Sequence, residues 1–447
     1  MQASKTEFQK KKEEWKKRYS EALSENRIFD QMVSRDLVAK SAEGLRITDF
    51  DGSQYLDFGN SMVLLGHSNP RVASKLSQDL QRHLVGGTQG WAMVETRVEF
   101  AEELKSNLHG DLKERGKVAY CSSGAEATDY AIGLAREFSK KKVIISFFGS
   151  YHGFTGATLA VNGIDPGDGV YRIPSRTGTV TIPFPDCHHD EPHKEPACST
   201  RCVDEFQKVL DNVVSPEDVA AVIFEPIEVN AGILIPAATF WKDVFRICER
   251  NEILTIADEV FTGFGKTGKF LGVDNYGVLP DIVCFGKGVG GTLPLGAIVA
   301  RDEILDNNLK PNCNSSSAGN PLACIAGTET MRIINEDRLL EKVSKYGRYM
   351  LKRLQELQEE NEDVINDVRA MGVVQGMEVG PDSRTNPRKY SKTALEIVEK
   401  AFKRGLLIGR RGIYRNVVSF TPCLTVSEPE IDEMIGIMSA VLKSIRK

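Results

Sequence analysis

The sequence predicts an α/β protein with a large domain, built on a mainly parallel sheet flanked by helices, and a smaller α+β domain formed by both ends of the chain. Strand-like and helix-like segments alternate between residues 117 and 300, which is typical of parallel sheets whose strands are joined by helices. Continuous apolar runs such as DVAAVIFE at residues 218–225 indicate a sheet covered on both faces. Ligands of such sheets bind at the carboxyl ends of the strands.

The composition is that of an ordinary globular protein. The 447 residues allow a sizeable core, and 41% hydrophobic with 27% charged residues is a normal balance. A net charge of −5 argues against nucleic-acid or membrane-surface partners. No apolar run approaches the ~18 residues of a membrane span, and the first residues lack the apolar core of a signal peptide. Because nine scattered cysteines fit reduced thiols, we expect a cytoplasmic protein.

The N-terminal residues are expected to contribute a helix and a hairpin. Residues 3–26 are rich in Lys and Glu, and apolar side chains recur there at helical spacing, which predicts a surface helix with one apolar face. Residues 45–57 alternate around Asp51 and Gly52, which predicts a hairpin. We assign residues 1–69 to the helix and part of the small domain, residues 70–325 to the large domain and residues 326–447 to the rest of the small domain.

A glycine turn between a strand and a helix offers a site for an anion. The strand at residues 117–122 runs into Ser123, Gly124 and Ala125, and a helical segment follows. A helix start directs free backbone N–H groups and the positive end of its dipole to one point, which suits a phosphate. Many α/β proteins turn in this way, so the turn alone does not specify a function.

Two apolar strands lead to a carboxylate and an amine. The run at residues 253–257 ends at Asp258, and the run at residues 281–285 precedes Lys287, which lies between glycines. Burying a charge is costly and usually signals chemistry. A desolvated lysine can attack a carbonyl, and an aspartate can keep a pyridine nitrogen protonated. The pair therefore predicts a pyridoxal phosphate site with Lys287 as its Schiff-base lysine, although two glycine-rich turns with an ordinary ion pair would share this pattern.

The motifs around this pair point to a family. They read DEV at 258–260, GFGKTG at 263–268, PDI at 280–282 and GKG at 286–288. Together with matches over roughly residues 30 to 440, they resemble the signature of the class III pyridoxal phosphate aminotransferases, the ornithine and 4-aminobutyrate type of fold type I. The resemblance implies transfer of an amino group between an amine or amino acid and a keto acid or aldehyde. It is much less specific for the substrate.

The resemblance also assigns residues to the cofactor. It implies that Ser123, Gly124 and Ala125 hold the cofactor phosphate, that Tyr151 covers one face of the ring and that Val260 presses on the other. Stacking of an aromatic side chain on a conjugated ring contributes about 0.5 to 1.5 kcal/mol beyond burial. Without the resemblance, Tyr151 would be interpreted as a core residue.

Two further positions follow from the same resemblance. Glu225, in a Glu-Pro pair, matches an acid that supports the cofactor network. Ser316 falls on the hydroxyl position of a loop that contacts the phosphate of the neighbouring subunit, which implies a homodimer with shared active sites or a higher oligomer. A run of three serines is otherwise typical of a flexible turn. Met62 and Val63 are candidates for the substrate pocket or for plain packing.

Residues 183–203 stand out by composition. They hold three of the seven histidines and three of the nine cysteines, at His188, His189, His193, Cys187, Cys198 and Cys202. A zinc site is one hypothesis, but the spacings lack the paired CxxC pattern of closed structural sites. We therefore expect a surface loop without metal.

The chain departs from the family where substrates with two carboxylates are held. Phe154 and Ser419 stand where relatives carry arginines, Asn230 replaces the acidic gate residue, and Phe261 replaces a glutamine near the ring hydroxyl. Losing a bidentate arginine removes a strong, charge-assisted contact. The basic segment at residues 410–415 could replace it, or could be a solvated loop. We therefore expect a neutral or hydrophobic amine or amino acid as substrate, rather than a dicarboxylate.

Other activities remain open on the same scaffold. An amino-acid racemase or epimerase would share Lys287 and Asp258, and so would a phospholyase that eliminates phosphate from an amino-alcohol phosphate. A cofactor-free binding protein is the alternative from a different class, and it predicts a colourless preparation.

Overall fold

The computed structural model describes residues 5–22, 36–60, 62–81, 92–164, 178–186, 197–306, 315–383 and 385–445. The chain divides into two compact units. One consists of Met1–Ser61, Leu65–Asn69 and Val343–Lys447, and the other of Met62–Leu64 and Pro70–Lys342. The first unit thus draws on both ends of the chain, and the domain boundaries at residues 69 and 325 stay predictions.

The described residues form helices and strands with the following bounds. The helices are α1 (Lys5–Ala22), α2 (Pro70–Asp79), α3 (Glu95–Ser106), α4 (Gly110–Glu114), α5 (Gly124–Ser139), α6 (Gly156–Val161), α7 (Ala197–Asn212), α8 (Phe240–Arg250), α9 (Asp302–Leu305), α10 (Pro321–Glu336), α11 (Leu339–Glu359), α12 (Ser391–Phe402) and α13 (Glu428–Ile445). The strands are β1 (Ala39–Glu43), β2 (Arg46–Asp49), β3 (Gln54–Asp57), β4 (Gly116–Cys121), β5 (Val143–Phe147), β6 (Thr179–Ile182), β7 (Val219–Phe224), β8 (Leu254–Asp258), β9 (Ile282–Phe285), β10 (Gly296–Arg301), β11 (Ile365–Met371), β12 (Val374–Val379), β13 (Leu406–Leu407), β14 (Gly409–Arg411) and β15 (Val417–Phe420).

The second unit is built on a seven-stranded sheet in the order β4-β10-β9-β8-β7-β5-β6. Strands β6, β5, β7, β8 and β9 pair in parallel, whereas β10 runs antiparallel to both β4 and β9. One reversed strand therefore interrupts an otherwise parallel sheet. The predicted α/β class with a mainly parallel sheet is confirmed, and the carboxyl ends of the parallel strands lie at one edge.

Strand β7, which lies between β8 and β5, shows why this sheet needs cover on both faces. Each of its residues, VAAVIF, is buried. On one side, Trp241 of α8 packs on Phe224 with ring centroids 4.1 Å apart, and its Nε1 donates a hydrogen bond of 3.1 Å to the Pro226 carbonyl. Elsewhere, apolar residues of α5 and of the strands pack together in one core of buried residues. The continuous apolar run thus reflects burial without alternation.

The first unit holds two four-stranded sheets, β1-β2-β3-β13 and β11-β12-β15-β14. The predicted hairpin is confirmed, because β2 and β3 pair antiparallel around Gly52, whose φ of +87° suits a glycine. Helix α1 packs on this hairpin through Trp15, whose ring centroid lies 6.2 Å from that of Phe50. Lys12 adds an ion pair of 2.6 Å with Asp49. None of the described helices is long and apolar enough to cross a membrane.

The second unit contains a buried acid whose carboxyl lacks a hydrogen-bond partner among the described residues. Glu228 follows β7, and both of its carboxyl oxygens lack a hydrogen bond in the described part of the chain. The space beside the carboxyl is closed, because a β-carbon on Gly149 would collide with Glu228 Oε2. Burial raises the pKa of Glu228 well above its usual range, and the nearby acids Glu225 and Asp186 raise it further. Burial therefore favours the protonated, neutral form of the Glu228 carboxyl relative to that of an exposed glutamate.

Replacing Glu228 with glutamine should change how stability depends on pH. The unfolded chain releases the Glu228 proton above its ordinary pKa, whereas the folded chain keeps it, so the wild-type free energy of unfolding falls as pH rises through that window, by about 1.4 kcal/mol per pH unit. Glu228→Gln removes this loss. We expect its melting temperature, measured from pH 5 to pH 9, to rise relative to wild type as pH increases.

The exposed acid Glu217 provides the matched control, since Glu217→Gln should leave the wild-type pH profile unchanged. A Glu228→Gln variant that is less stable than wild type by the same amount at every pH would show that the acid is hydrogen-bonded or ionised in the folded chain.

Candidate active site

A cavity of about 360 Å³ lies in the second unit. Its walls include every predicted site residue except Ser316, namely Ser123, Gly124, Ala125, Tyr151, Glu225, Asp258, Val260 and Lys287. The sheet explains this convergence: β8 ends at Asp258, β7 ends one residue before Glu225, and β9 ends two residues before Lys287. Because these three strands are parallel neighbours, their carboxyl ends bring an amine and two acids to one edge.

The carboxylate of Asp258 is held by two hydrogen bonds away from water. Its side chain is only 4% exposed. Oδ2 lies 2.7 Å from Nδ1 of His152, and Oδ1 accepts a bond of 3.0 Å from the Val260 N–H. Since a carboxylate only accepts, His152 donates from Nδ1. The orientation of the carboxylate is therefore fixed by two separate loops.

His152 is a site residue that the sequence analysis did not assign. Its side chain is fully buried, and its backbone N–H donates a 2.7 Å hydrogen bond to Asn162 Oδ1. Asn162 Nδ2 in turn donates to the Gly153 carbonyl, which fixes the loop that carries the ring. The Nε2 atom of His152 has no hydrogen-bond partner within the described ranges. The available signal was a histidine directly after Tyr151 at the end of a buried strand.

Lys287 approaches the cavity from a strained turn. Its φ is +49°, a region that residues with a β-carbon rarely adopt. Its Nζ lies 4.6 Å from the centroid of the Phe261 ring, within the range of a cation–π contact. A non-glycine residue in this conformation costs about 1 to 3 kcal/mol and is found mainly at functional sites.

Glu225 is an acid whose charge changes near neutral pH. It is buried, and its Oε1 accepts a hydrogen bond of 2.9 Å from the Tyr151 N–H. Burial, together with the charge of Asp258, raises the pKa of Glu225 to about 7, although His152, the Tyr151 N–H and Lys287 act in the opposite direction. The cavity therefore contains a group that can gain or lose a proton at physiological pH.

The first turn of α5 forms a cradle of backbone N–H groups. Ser123 is the N-cap, and its Oγ accepts a 3.2 Å bond from the Glu126 N–H. Glu126 Oε2 accepts a 2.8 Å bond from the Ser122 N–H. Because the first N–H groups of a helix have no partner inside it, those of Gly124 and Ala125 remain available to an anion.

Only glycine fits at position 124. A β-carbon there would lie 2.8 Å from both methyl carbons of Val260. A β-carbon on Gly286 would lie 2.7 Å from the Gly124 α-carbon and 3.2 Å from Val260 Cγ1. The start of α5, the residue after Asp258 and the turn before Lys287 are thus in direct contact. This packing fixes the cradle next to the amine and the carboxylate.

The residues present fit pyridoxal phosphate. The N–H cradle suits its phosphate, the buried and oriented Asp258 carboxylate suits a cationic ring nitrogen, and the Lys287 amine suits its aldehyde. Tyr151 and Val260 both line the cavity, as ring neighbours would. Buried polar groups cost free energy, so we would not expect a cavity without a chemical function to retain this set of them.

The mouth of the cavity is lined by the apolar side chains of Phe154 and Met62. Phe154 is 37% exposed, and its ring meets Tyr151 edge to face with centroids 5.3 Å apart. Met62 also lines the cavity, whereas Val63 is buried outside its walls. Along the described chain, no arginine lines this cavity.

Two predictions concern regions away from the cavity walls. Ser316 is exposed, and the adjacent Ser315 Oγ lies 2.5 Å from Ser122 Oγ of the same chain. Its contact with a neighbouring subunit stays a prediction. Of the Cys/His-rich segment at residues 183–203, residues 187–196 lie outside the described residues, and Cys198 and Cys202 belong to helix α7 and not to a loop. Within the described ones, no group of three or more side chains is arranged to hold a metal ion.

Comparison with known proteins gives consistent relatives. The model of the aminotransferase class-III family matches residues 29–442. A leucine/methionine racemase of Thermococcus litoralis is 30% identical, over 98% of this chain and 97% of that protein. An acetylornithine aminotransferase of Caldanaerobacter subterraneus is 34% identical, over 94% of this chain and 98% of that protein. The solved structure of an (S)-enantioselective omega-transaminase from Thermomicrobium roseum has a TM-score of 0.86 at 27% identity, and the match covers 97% of this chain and 99% of that one.

The family match extends over nearly the whole chain, and the relatives match it at full length. The fold is that of the solved transaminase. The chain therefore belongs to the class III aminotransferase family and is a pyridoxal phosphate-dependent aminotransferase of fold type I.

Proposed function

We propose that this aminotransferase acts on a neutral or hydrophobic amine or amino acid, with Lys287 and Asp258 as its catalytic residues. The observation that carries the proposal is the cavity itself. It joins the Lys287 amine and the buried Asp258 carboxylate with an apolar mouth at Phe154 and Met62. A dicarboxylate would need a cation at this mouth, because an unpaired carboxylate in an apolar site is strongly disfavoured.

Lys287 carries the proton transfers. Bound pyridoxal phosphate supplies an electrophilic carbon that takes up the amino group and a pyridinium ring that stabilises the electron pair left at the substrate carbon. Once its Nζ is free, Lys287 removes the proton from the substrate α-carbon as general base and returns it as general acid. The Phe261 ring, 4.6 Å from Nζ, limits water around the amine and favours a defined position.

Asp258 holds a positive charge on the ring nitrogen. Its two fixed hydrogen bonds, from His152 and the Val260 N–H, leave it as an oriented acceptor at the end of β8. A preorganised carboxylate stabilises a neighbouring cation without reorganising during the reaction. The pKa of Glu225 is raised to about 7, so this side chain gains or loses a negative charge in the same cavity near neutral pH.

The remaining predicted residues bind the cofactor. Ser123, Gly124 and Ala125 take its phosphate through the start of α5, and Tyr151 and Val260 enclose its ring. The proposal extends to a homodimer in which Ser316 contributes to the neighbouring site, supported by its exposed position on a loop joined to Ser122 through Ser315.

We also propose a cytoplasmic location. Reduced thiols support it, since Cys248, Cys284 and Cys324 are buried and form no disulfide.

Racemisation of an amino acid is the second candidate. The Thermococcus litoralis protein, which matches this chain over its full length, is a leucine/methionine racemase. Racemisation would use the same Lys287 and Asp258, and would require return of the proton to the opposite face of the substrate carbon. Both candidates take substrates without a second carboxylate, so they differ in product and not in the apolar pocket.

Replacing Lys287 with alanine should remove the covalent link between chain and cofactor. After borohydride reduction, mass spectrometry of the wild type should find the cofactor on the peptide that contains Lys287, and Lys287→Ala should carry none there. Turnover should be abolished while the melting temperature of the cofactor-free chain stays close to wild type. The matched control is Lys269→Ala, because that lysine is exposed and lies outside the cavity walls. Turnover retained by Lys287→Ala would contradict the assignment.

A panel of single amino donors should separate the substrate classes. We expect apolar amino acids and amines to convert the enzyme to its pyridoxamine form at least about tenfold more efficiently than glutamate, because burying an unpaired carboxylate costs more than 1.4 kcal/mol. Stopped-flow absorbance would follow the conversion, and chiral chromatography would report inversion. Inversion without loss of the amino group would favour the racemase, and preference for glutamate would contradict the apolar pocket.

A further inference from the structure

The loop that follows β7 presents one polar side chain to the cavity. Of residues 226–234, all of which the structure describes, only Asn230 is not buried, and it alone lines the cavity. Two backbone hydrogen bonds of 3.0 Å between Glu228 and Leu234 close the loop at its base. Ile233 has a φ of +61°, which is rare for a side chain branched at its β-carbon. Asn230 is therefore the residue through which this loop contacts a molecule in the cavity.

Close packing holds the loop against the turn that follows β5. A β-carbon on Gly149 would lie 2.4 Å from Glu228 Oε2 and 2.7 Å from the Ala231 β-carbon. Strands β5 and β7 are parallel neighbours, so their carboxyl ends lie side by side. The Tyr151 N–H also donates a 2.9 Å hydrogen bond across this edge to Glu225 Oε1. The loop is thus fixed on the turn that leads to Tyr151, at the edge of the sheet where the cavity lies.

An amino-acid substrate would bring a carboxylate into this cavity, whereas a simple amine would not. A carboxylate without a partner in an apolar site is strongly disfavoured. Lys287 is the only lysine or arginine among the described residues that line the cavity, and the proposed function uses its amine for proton transfer. Among the described residues, neutral hydrogen-bond donors therefore remain for the substrate carboxylate.

Asn230 has the largest donor capacity of the neutral side chains in the cavity walls. Its carboxamide offers two N–H donors, whereas the hydroxyl groups of Tyr151 and Thr292 offer one each. The hydroxyl groups of Ser122 and Ser123 already take part in hydrogen bonds within the chain. The Asn230 amide is therefore the neutral group best suited to a carboxylate.

We propose that Asn230 donates hydrogen bonds to the carboxylate of the substrate, so that the enzyme favours apolar α-amino acids over amines without a carboxylate. The inference rests on the proposed function and deepens it by naming the substrate class. A neutral amide receives one carboxylate by hydrogen bonding, but it supplies no positive charge for a second one. Asn230 and the apolar mouth thus act together, the first on the carboxylate and the second on the side chain.

The test compares L-leucine with 3-methylbutylamine, which has the same side chain and no carboxylate. Asn230→Asp keeps the shape of the side chain, but it replaces the N–H donors with an acceptor that repels the substrate carboxylate. We expect kcat/KM for leucine to fall at least about tenfold, because a hydrogen bond to a charged group is lost. The value for 3-methylbutylamine should change by less than about twofold. Stopped-flow absorbance of the holoenzyme would measure both reactions.

Asn335→Asp is the matched control. Asn335 is exposed on α10 and lies outside the cavity walls, so the same substitution there should leave both reactions at the wild-type level. Asn230→Ala removes the donors without adding a charge, so its kcat/KM for leucine should lie between those of wild type and Asn230→Asp. In all three variants, the absorbance spectrum and the dissociation constant of the bound cofactor should stay unchanged, because Asn230 contacts the substrate and not the cofactor.

Equal losses for leucine and 3-methylbutylamine in Asn230→Asp would overturn the inference, because damage to the loop would have that effect. A changed cofactor affinity in Asn230→Asp, or an unchanged reaction with leucine, would overturn it too. A wild type that reacts with 3-methylbutylamine and not with leucine would reject this inference and leave the proposed function standing. A wild type that reacts with neither compound would reject the proposed function, and this inference with it.

Discussion

Burial of the Asp258 carboxylate is the constraint on which the rest of the site depends. An ionised acid with 4% of its side chain exposed is stable only if its oxygens are hydrogen-bonded and a cation is near. His152 and the Val260 N–H satisfy the oxygens. Burial, together with the remaining negative charge of Asp258, raises the pKa of Glu225 to about 7. The buried negative charge of Asp258 costs free energy in the cofactor-free chain. A cationic ring bound beside it offsets this cost, so the buried charge favours binding of the ring.

The close packing of glycines makes this electrostatic arrangement possible. Gly124 and Gly286 let the start of α5, the residue Val260 and the turn of Lys287 touch one another. A single methyl group at either glycine would force the helix start away from the strand ends. The anion cradle, the carboxylate and the amine are therefore positioned by one contact between three loops, each anchored on a parallel strand or on α5.

The sequence predicted the fold class and the residues that end strands, because both depend on local patterns. Asp258, Glu225 and Lys287 each follow a short apolar run, and parallel strands bring such ends together whatever their separation in the chain. The bond from His152 to Asp258 could not be predicted from spacing, since it joins residues 106 positions apart. The same holds for Glu228, whose carboxyl oxygens have no hydrogen-bond partner among the described residues.

The family relationship indicates the type of reaction, whereas the apolar mouth of the cavity concerns the choice of substrate. Shared strand ends explain why aminotransferases and a racemase match the chain over its full length. Phe154 and Met62, by contrast, line the mouth of the cavity, and in the proposed function they select the substrate. The most direct test of the central claim is the ¹⁵N chemical shift of the ring nitrogen, with labelled cofactor bound at neutral pH. We predict a protonated nitrogen in the wild type and an unprotonated one in Asp258→Asn; the same shift in both would contradict the role of Asp258.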